Sequence, residues 1–183
     1  EFSGGHFFSN IGFCMETGNM FVTSNKGVLL KIDPDKEQII CSYRLHDSPI
    51  LSLVIQGGYV VTGSTDNKLR VWPMSFSDYL LEALHEGAIS SLHVAKDGRK
   101  ILVGTLAGTL GILNVRDHTF YTIVRSHVGS INCCIARTPI SDEFVTIGQD
   151  CTIRVWDSIS CQQKFEFTSV NDEPKVACYH TLS

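Results

Sequence analysis

The sequence predicts an all-β chain built from a four-stranded antiparallel unit repeated about four times. Three observations lead there. LHDSPILSLVI (45–55), LHEGAISSLHV (84–94) and SHVGSINCCIA (126–136) each set a His ahead of a small or turn-forming residue and an apolar run; His46, His85 and His127 are 39 and 42 residues apart. Between these histidines lie short runs rich in Val, Ile, Leu, Thr and aromatic residues, separated by Gly, Asp or Asn turns, as strands and hairpins require. No segment sustains a helical period.

The elements follow in order. The first unit reads NIGFCME, the Gly18-Asn19 turn, MFVTSN, GVLLKID, the Pro34 turn and QIICSYRL. In the second, ILSLVI leads through Gly57-Gly58 to YVVTGS, a turn at Asp66-Asn67, KLRVWPM, a connection and YLLEAL. The third runs ISSLHVA, the Asp97-Gly98 turn, KILVGTL, the Ala107-Gly108 turn, TLGILNV and TFYTIVR. INCCIAR, the connection TPISDE, FVTIGQ, CTIRVWD and QKFEFTS make the fourth, and KVACYHTL after Pro174 reads as one further strand. Four strands in roughly 40–45 residues is the repeat of a β-propeller blade.

VTGSTDNKLRVW (61–72) and VTIGQDCTIRVWD (145–157) resemble the second and third strands of WD repeats, the latter with the family's terminal Trp156-Asp157 pair. The resemblance covers nearly the whole chain: a degenerate blade at 1–45, a WD blade at 46–84, a degenerate one at 85–126, a WD blade at 127–172, and the first strand of a following blade at 173–183. A strict pattern search is expected to miss the first and third. Seven such blades need about 300 residues, so the expectation is an incomplete, open arc of a larger propeller. EFSGG at the start reads as turn-like or as an appended remnant.

Trp72-Pro73, where the family places Trp-Asp, together with HEG after LLEA, is similar to a centriole and basal-body branch of this family. That likeness implies a non-enzymatic interaction scaffold in the cytoplasm and cytoskeleton. It would act at the centriole, basal body or cilium in assembly of the centriole wall or inner scaffold, with centriolar or ciliary proteins as partners and tubulin or microtubules as a further candidate. An alternative is the substrate-receptor propeller of a cullin ubiquitin ligase. Such receptors end blades in W-D-x-R, which neither Trp156-Asp157-Ser158-Ile159 nor Leu113-Asn114-Val115-Arg116 completes.

By position, the family's buried hydrogen-bond relay falls on His46, Thr62, Asp66 and Trp72, and again on His127, Thr146, Asp150 and Trp156. Both Thr-to-Asp spacings are four and both Asp-to-Trp spacings six, which fits one strand turning into the next with Trp offering its single N–H to a hydroxyl. The rival reading is a Ser/His/Asp-type hydrolase site. Such a site needs an exposed, activated nucleophile on a sharp turn, and no G-x-S-x-G occurs. Here the Thr lies inside an apolar run and the set occurs twice, so no catalytic residue is assigned. The third unit has Val103, Ala107 and Leu113 at these places and the first has Val22, Lys26 and Ile32. Both are expected to rest on apolar packing alone, leaving His85 exposed.

Composition excludes other classes. The 183 residues predict one domain with a real core. The net charge of −4 and the lack of any block of five basic residues argue against autonomous binding to nucleic acid or an anionic membrane. Apolar stretches such as SPILSLVI (48–55) fall far short of the roughly 20 residues of a membrane span, and no basic-then-apolar leader opens the chain, so a soluble, non-secreted protein is expected. The seven cysteines, Cys14, Cys41, Cys133, Cys134, Cys151, Cys161 and Cys178, include no C-x-x-C pair and read as small buried thiols. His6, His93, His118 and His180 are scattered without zinc spacing, and the glycines lie in inter-strand turns, so neither metal nor cofactor is expected. Two surface features stand out as partner-facing candidates: the basic set Lys96, Arg99, Lys100, Arg116 and Arg125, against Asp97 and Asp117, and the aromatics Phe76 and Tyr79 of the SFSDY connection.

Overall fold

The computed structural model describes residues 5, 7–95, 98–123, 126–136, 142–168 and 173–176. These form four open four-stranded antiparallel sheets, with no helix among the described residues. The first sheet runs in order β1 (Phe8–Phe13), β2 (Met20–Ser24), β3 (Val28–Asp33) and β4 (Gln38–Arg44). The second contains β5 (Ile50–Gln56), β6 (Tyr59–Ser64), β7 (Lys68–Pro73) and β8 (Leu81–Leu84). The third contains β9 (Ile89–Val94), β10 (Lys100–Thr105), β11 (Leu110–Asn114) and β12 (Phe120–Ile123). β13 (Ile131–Ala136), β14 (Glu143–Gly148), β15 (Thr152–Asp157) and β16 (Gln163–Thr168) make the fourth. β1 begins two residues earlier than its NIGFCME run suggests, and Cys14 to Glu16 belong to the following turn. The connection 137–141 and most of the KVACYHTL strand lie outside the described residues.

Length alone suggested one domain, but the chain divides into two compact units, 1–89 and 90–183. Repeats that touch only their neighbours have no single centre, so compactness is local. In the first unit, Cys14, Phe21 and Leu29 pack with Ile50, Leu53, Val60, Trp72 and Phe76. In the second, Leu102, Leu110 and Ile112 pack with Ile131, Cys134, Phe144 and Trp156. Both cores draw on the inward positions of facing sheets, as the period-two pattern requires.

The turns repeat as closely as the strands. The turn between the second and third strands of each sheet ends on a left-handed residue, Gly27, Asn67, Gly108 or Cys151, with φ of 72°, 66°, 79° and 60°. Glycine is required at two of them, because a methyl at Gly27 would be driven into the carbonyl oxygen of His46 and one at Gly108 into that of His127. The outer hairpins likewise carry Glu37, Phe76, His118 and Cys161 at positive φ. Asp33, Asn114 and Asp157 cap three of these hairpins by accepting backbone N–H groups from Lys36, Arg116 and Ser160. Pro73 stands at the equivalent place in the second sheet, and its carbonyl oxygen accepts the Phe76 N–H at 3.0 Å.

Of the cysteines expected as buried thiols, Cys14 and Cys134 are buried, whereas Cys41, Cys133, Cys151 and Cys161 are only half-buried because they sit on sheet faces and turns rather than in the core. Cys178, His6 and His180 lie outside the described residues. Among the described residues no helix is long and apolar enough to cross a membrane.

Candidate functional site

The structure brings both relay sets together. In the second sheet, Trp72 Nε1–H donates to Thr62 Oγ1 at 2.9 Å, Thr62 Oγ1 lies 2.8 Å from His46 Nε2, and His46 Nδ1 lies 2.9 Å from Asp66 Oδ2. In the fourth, the corresponding distances are 2.8 Å from Trp156 to Thr146, 2.7 Å from Thr146 to His127 and 2.9 Å from His127 to Asp150. Only one assignment of hydrogens satisfies every member. Indole can only donate, so the Thr hydroxyl accepts from Trp and gives its own hydrogen to Nε2, leaving Nδ1–H to point at the carboxylate.

Electrostatics agree with that order. Burial is the largest influence on His46 and His127 and lowers both, outweighing the carboxylates that would raise them. Burial opposes ionisation of Asp66, but hydrogen bonds from His46 and the Lys68 N–H overcome it and hold the carboxyl below the ordinary range. Asp150 is held lower still. Against the same burial it accepts from the Val128 N–H, the Thr152 hydroxyl and His127. Each relay therefore joins a neutral imidazole to a carboxylate.

Neither relay threonine is placed as a nucleophile. Thr62 and Thr146 are 0% exposed, and each hydroxyl is used twice, once as acceptor and once as donor. A hydroxyl so enclosed has no access to a substrate. What the relay does is fix the loop before each sheet's first strand against the second and third strands. Among the described residues no three His, Cys, Asp or Glu side chains are grouped to hold a metal ion.

Sequence reasoning missed a second repeated constellation. Arg70 Nε contacts Glu82 Oε2 at 2.8 Å and Arg154 Nε contacts Glu166 Oε2 at 3.0 Å, each pair in register across the third and fourth strands of its sheet. The signal was present: Arg and Glu stand twelve residues apart in both WD-like units. Arg70 also donates to the Leu45 carbonyl oxygen and lies 5.2 Å from the Tyr79 ring centroid.

Three expectations need correction. His85 is buried at 8% exposure rather than exposed, with its backbone N–H bonded to Asn67 O at 2.8 Å. Burial pushes its imidazole down to about 4. The first and third sheets do not rest on apolar packing alone. Ser24 Oγ accepts the N–H groups of Lys26 and Val28, and Thr105 Oγ1 meets Thr109 Oγ1 at 2.6 Å in the equivalent turn. Phe76 is buried, stacked on Tyr43 at 4.6 Å between ring centroids, because its left-handed backbone turns the ring inward; a partner cannot reach it.

The remaining surface candidates divide. Tyr79 is 44% exposed with its ring edge on Trp72, and Arg116 and Arg99 are exposed. Lys100 is engaged within the fold, donating to Ser158 Oγ at 3.0 Å with Asp142 at 4.0 Å, so it does not act as an independent surface cation. Lys96 and Arg125 lie outside the described residues.

A family model described as "WD domain, G-beta repeat" matches residues 37–73 and 118–157. The chain belongs to the WD-repeat family. Each matched WD repeat starts on or just before the outermost strand of one sheet and ends in the third strand of the next, so the repeat in sequence is offset from the sheet by one strand. Among WD-repeat relatives, the chain is 40% identical over 131 residues to "Centriole proteome protein 16" of Chlamydomonas reinhardtii, covering 68% of this chain and 6% of that protein. It is 32% identical over 180 residues to human "WD repeat-containing protein 90", covering 88% of this chain and 10% of that protein. The chain thus spans a tenth or less of these relatives. Among solved structures, "Structure of U3-55K" matches with TM-score 0.80 at 17% identity, covering 91% of this chain and 53% of that one. "Crystal Structure of Mitotic Checkpoint Complex" matches with TM-score 0.83 at 13% identity, covering 90% and 52%. At such identity the likeness concerns the WD-repeat propeller fold alone.

Proposed function

We propose that this chain is part of a non-enzymatic interaction scaffold, a WD-repeat propeller segment of a centriolar or ciliary protein that supports centriole assembly. The observation that carries the non-enzymatic half is the saturation of both relays: the only nucleophile-histidine-carboxylate sets noted in the sequence are enclosed, doubly bonded and repeated, as braces are. The centriolar half is supported by the 40% identity to a protein named for the centriole proteome. Partners would be protein surfaces reached from the exposed turns and outer strands, with Tyr79 and Arg116 as contact candidates and tubulin as one of the partners to test.

The test is imaging of the endogenously tagged full-length protein against a centriole marker, with proximity labelling from the same tag. Enrichment at centrioles with centriolar neighbours is the expected result. A diffuse signal whose labelled neighbours are cullin ligase subunits would overturn the reading in favour of a ubiquitin-ligase receptor.

A further inference from the structure

Two of the chain's three methionines stand beside a cysteine at one end of the first unit. Cys14, Met15 and Met74 line a cavity of about 200 Å³ together with Phe13, Ile55 and Gln56. Cys14 is 5% exposed, and Met74 packs against the core to which it belongs. Met15, 88% exposed, stands on the solvent side. The turn holds Cys14 in place: its N–H donates to Asn19 O at 2.9 Å, and its carbonyl oxygen accepts the Gly18 N–H at 2.9 Å.

The repeat does not ask for these sulfurs. Ile11 and Phe13 pair with Val22 and Met20 as Leu53 and Ile55 pair with Thr62 and Val60, so Gln56 and Gly57 stand in the second sheet where the first has Cys14 and Met15. Pro73 corresponds to Asp33, Asn114 and Asp157, so the copies of Met74 are Pro34, Val115 and Ser158. Three sulfur side chains meet at one cavity, at positions where the other sheets named carry none.

A search by His and Cys spacing does not register thioethers, which are soft, polarizable donors. Zinc would need four nitrogen, sulfur or oxygen ligands, and no imidazole lines this wall. One thiolate with thioethers is instead the donor set that selects copper(I), and the apolar Phe13 and Ile55 beside it disfavour strongly hydrated ions.

We propose that Cys14, Met15 and Met74 form a binding site for a soft monovalent cation of the copper(I) class. Cys14 supplies the thiolate and the two methionines supply neutral thioether ligands. Met15, on the exposed side, closes over the ion. The site is independent of the centriolar assignment.

The test uses the purified full-length protein and Ag(I), a redox-inert probe of the same class, in chloride-free buffer at slight excess over the protein's thiols. Oxidation of each methionine by peroxide is followed by peptide mass spectrometry, with Met20, which does not line the cavity, as the internal control. Ag(I) is expected to slow Met15 oxidation about tenfold, as for a thioether ligated about nine-tenths of the time, and to leave Met20 unchanged. Cys14→Ala and the volume-conserving Met74→Leu should each restore the metal-free rate at Met15. No slowing of Met15, equal slowing of Met20, or slowing that persists in either variant would overturn the proposal.

Discussion

Trp156 gives its only polar hydrogen to Thr146, across 2.8 Å, in the interior of the fourth sheet. Trp156→Phe keeps the ring and removes the donor, so the Thr146 hydroxyl loses the hydrogen bond it accepts. The expected loss is about 1–2 kcal/mol, read as a lower denaturant midpoint with an unchanged slope.

The two aspartates are not equally committed. Asp66 accepts from His46 and the Lys68 N–H, whereas Asp150 accepts from His127, the Val128 N–H and both the N–H and hydroxyl of Thr152. Asp150→Ala is therefore expected to destabilise more than Asp66→Ala, by about 1 kcal/mol, since the N–H and hydroxyl of the buried Thr152 lose their acceptor, whereas the exposed Val128 N–H can turn to water. Equal unfolding midpoints for the two variants would show that the additional donors contribute nothing.

The strands and both relays were legible because they rest on local information: period-two apolar runs, Gly and Asp turns, and the spacings from Thr62 to Asp66 and from Asp66 to Trp72. What was not legible depends on tertiary packing. His85 has lost the relay partners at Val103 and Ala107, which suggested exposure, but a side chain is buried by whatever excludes water from it, whether or not it is bonded. Phe76 is buried by a left-handed backbone that no residue preference signals. The Arg70–Glu82 pair was hidden because a twelve-residue spacing means nothing until the third and fourth strands are known to pair in register.

Glycine substitutions separate backbone strain from steric exclusion. Gly18 and Gly108 both have positive φ, 68° and 79°, but a methyl at Gly18 meets nothing within 4 Å while one at Gly108 strikes the His127 and Gly129 carbonyl oxygens. Gly18→Ala should lose about 1–2 kcal/mol from the left-handed conformation alone. Gly108→Ala should lose more and disturb the loop carrying His127, seen as faster amide exchange there. Similar losses for the two variants would contradict the steric account.

Acid should weaken the fold through buried imidazole. His85 is pushed down to about 4 by burial, against an ordinary value near 6.5 when unfolded. Between those values the unfolded chain takes up a proton that the folded chain refuses. Stability is therefore complete above about pH 6.5 and declines as pH falls toward about 4. The contribution is on the order of 3 kcal/mol, with His46 and His127, also lowered by burial, acting in the same direction. A series of unfolding midpoints across this window should flatten in His85→Leu; an unchanged slope would remove His85 from the explanation.

The claim that each relay acts as one internal brace is tested most directly by a double-mutant cycle between Trp156 and Asp150, which are linked through Thr146 and His127. Unfolding free energies of Trp156→Phe, Asp150→Asn and the double variant give the coupling. A connected relay predicts non-additivity of about 0.5–3 kcal/mol, while additivity within about 0.3 kcal/mol would contradict it.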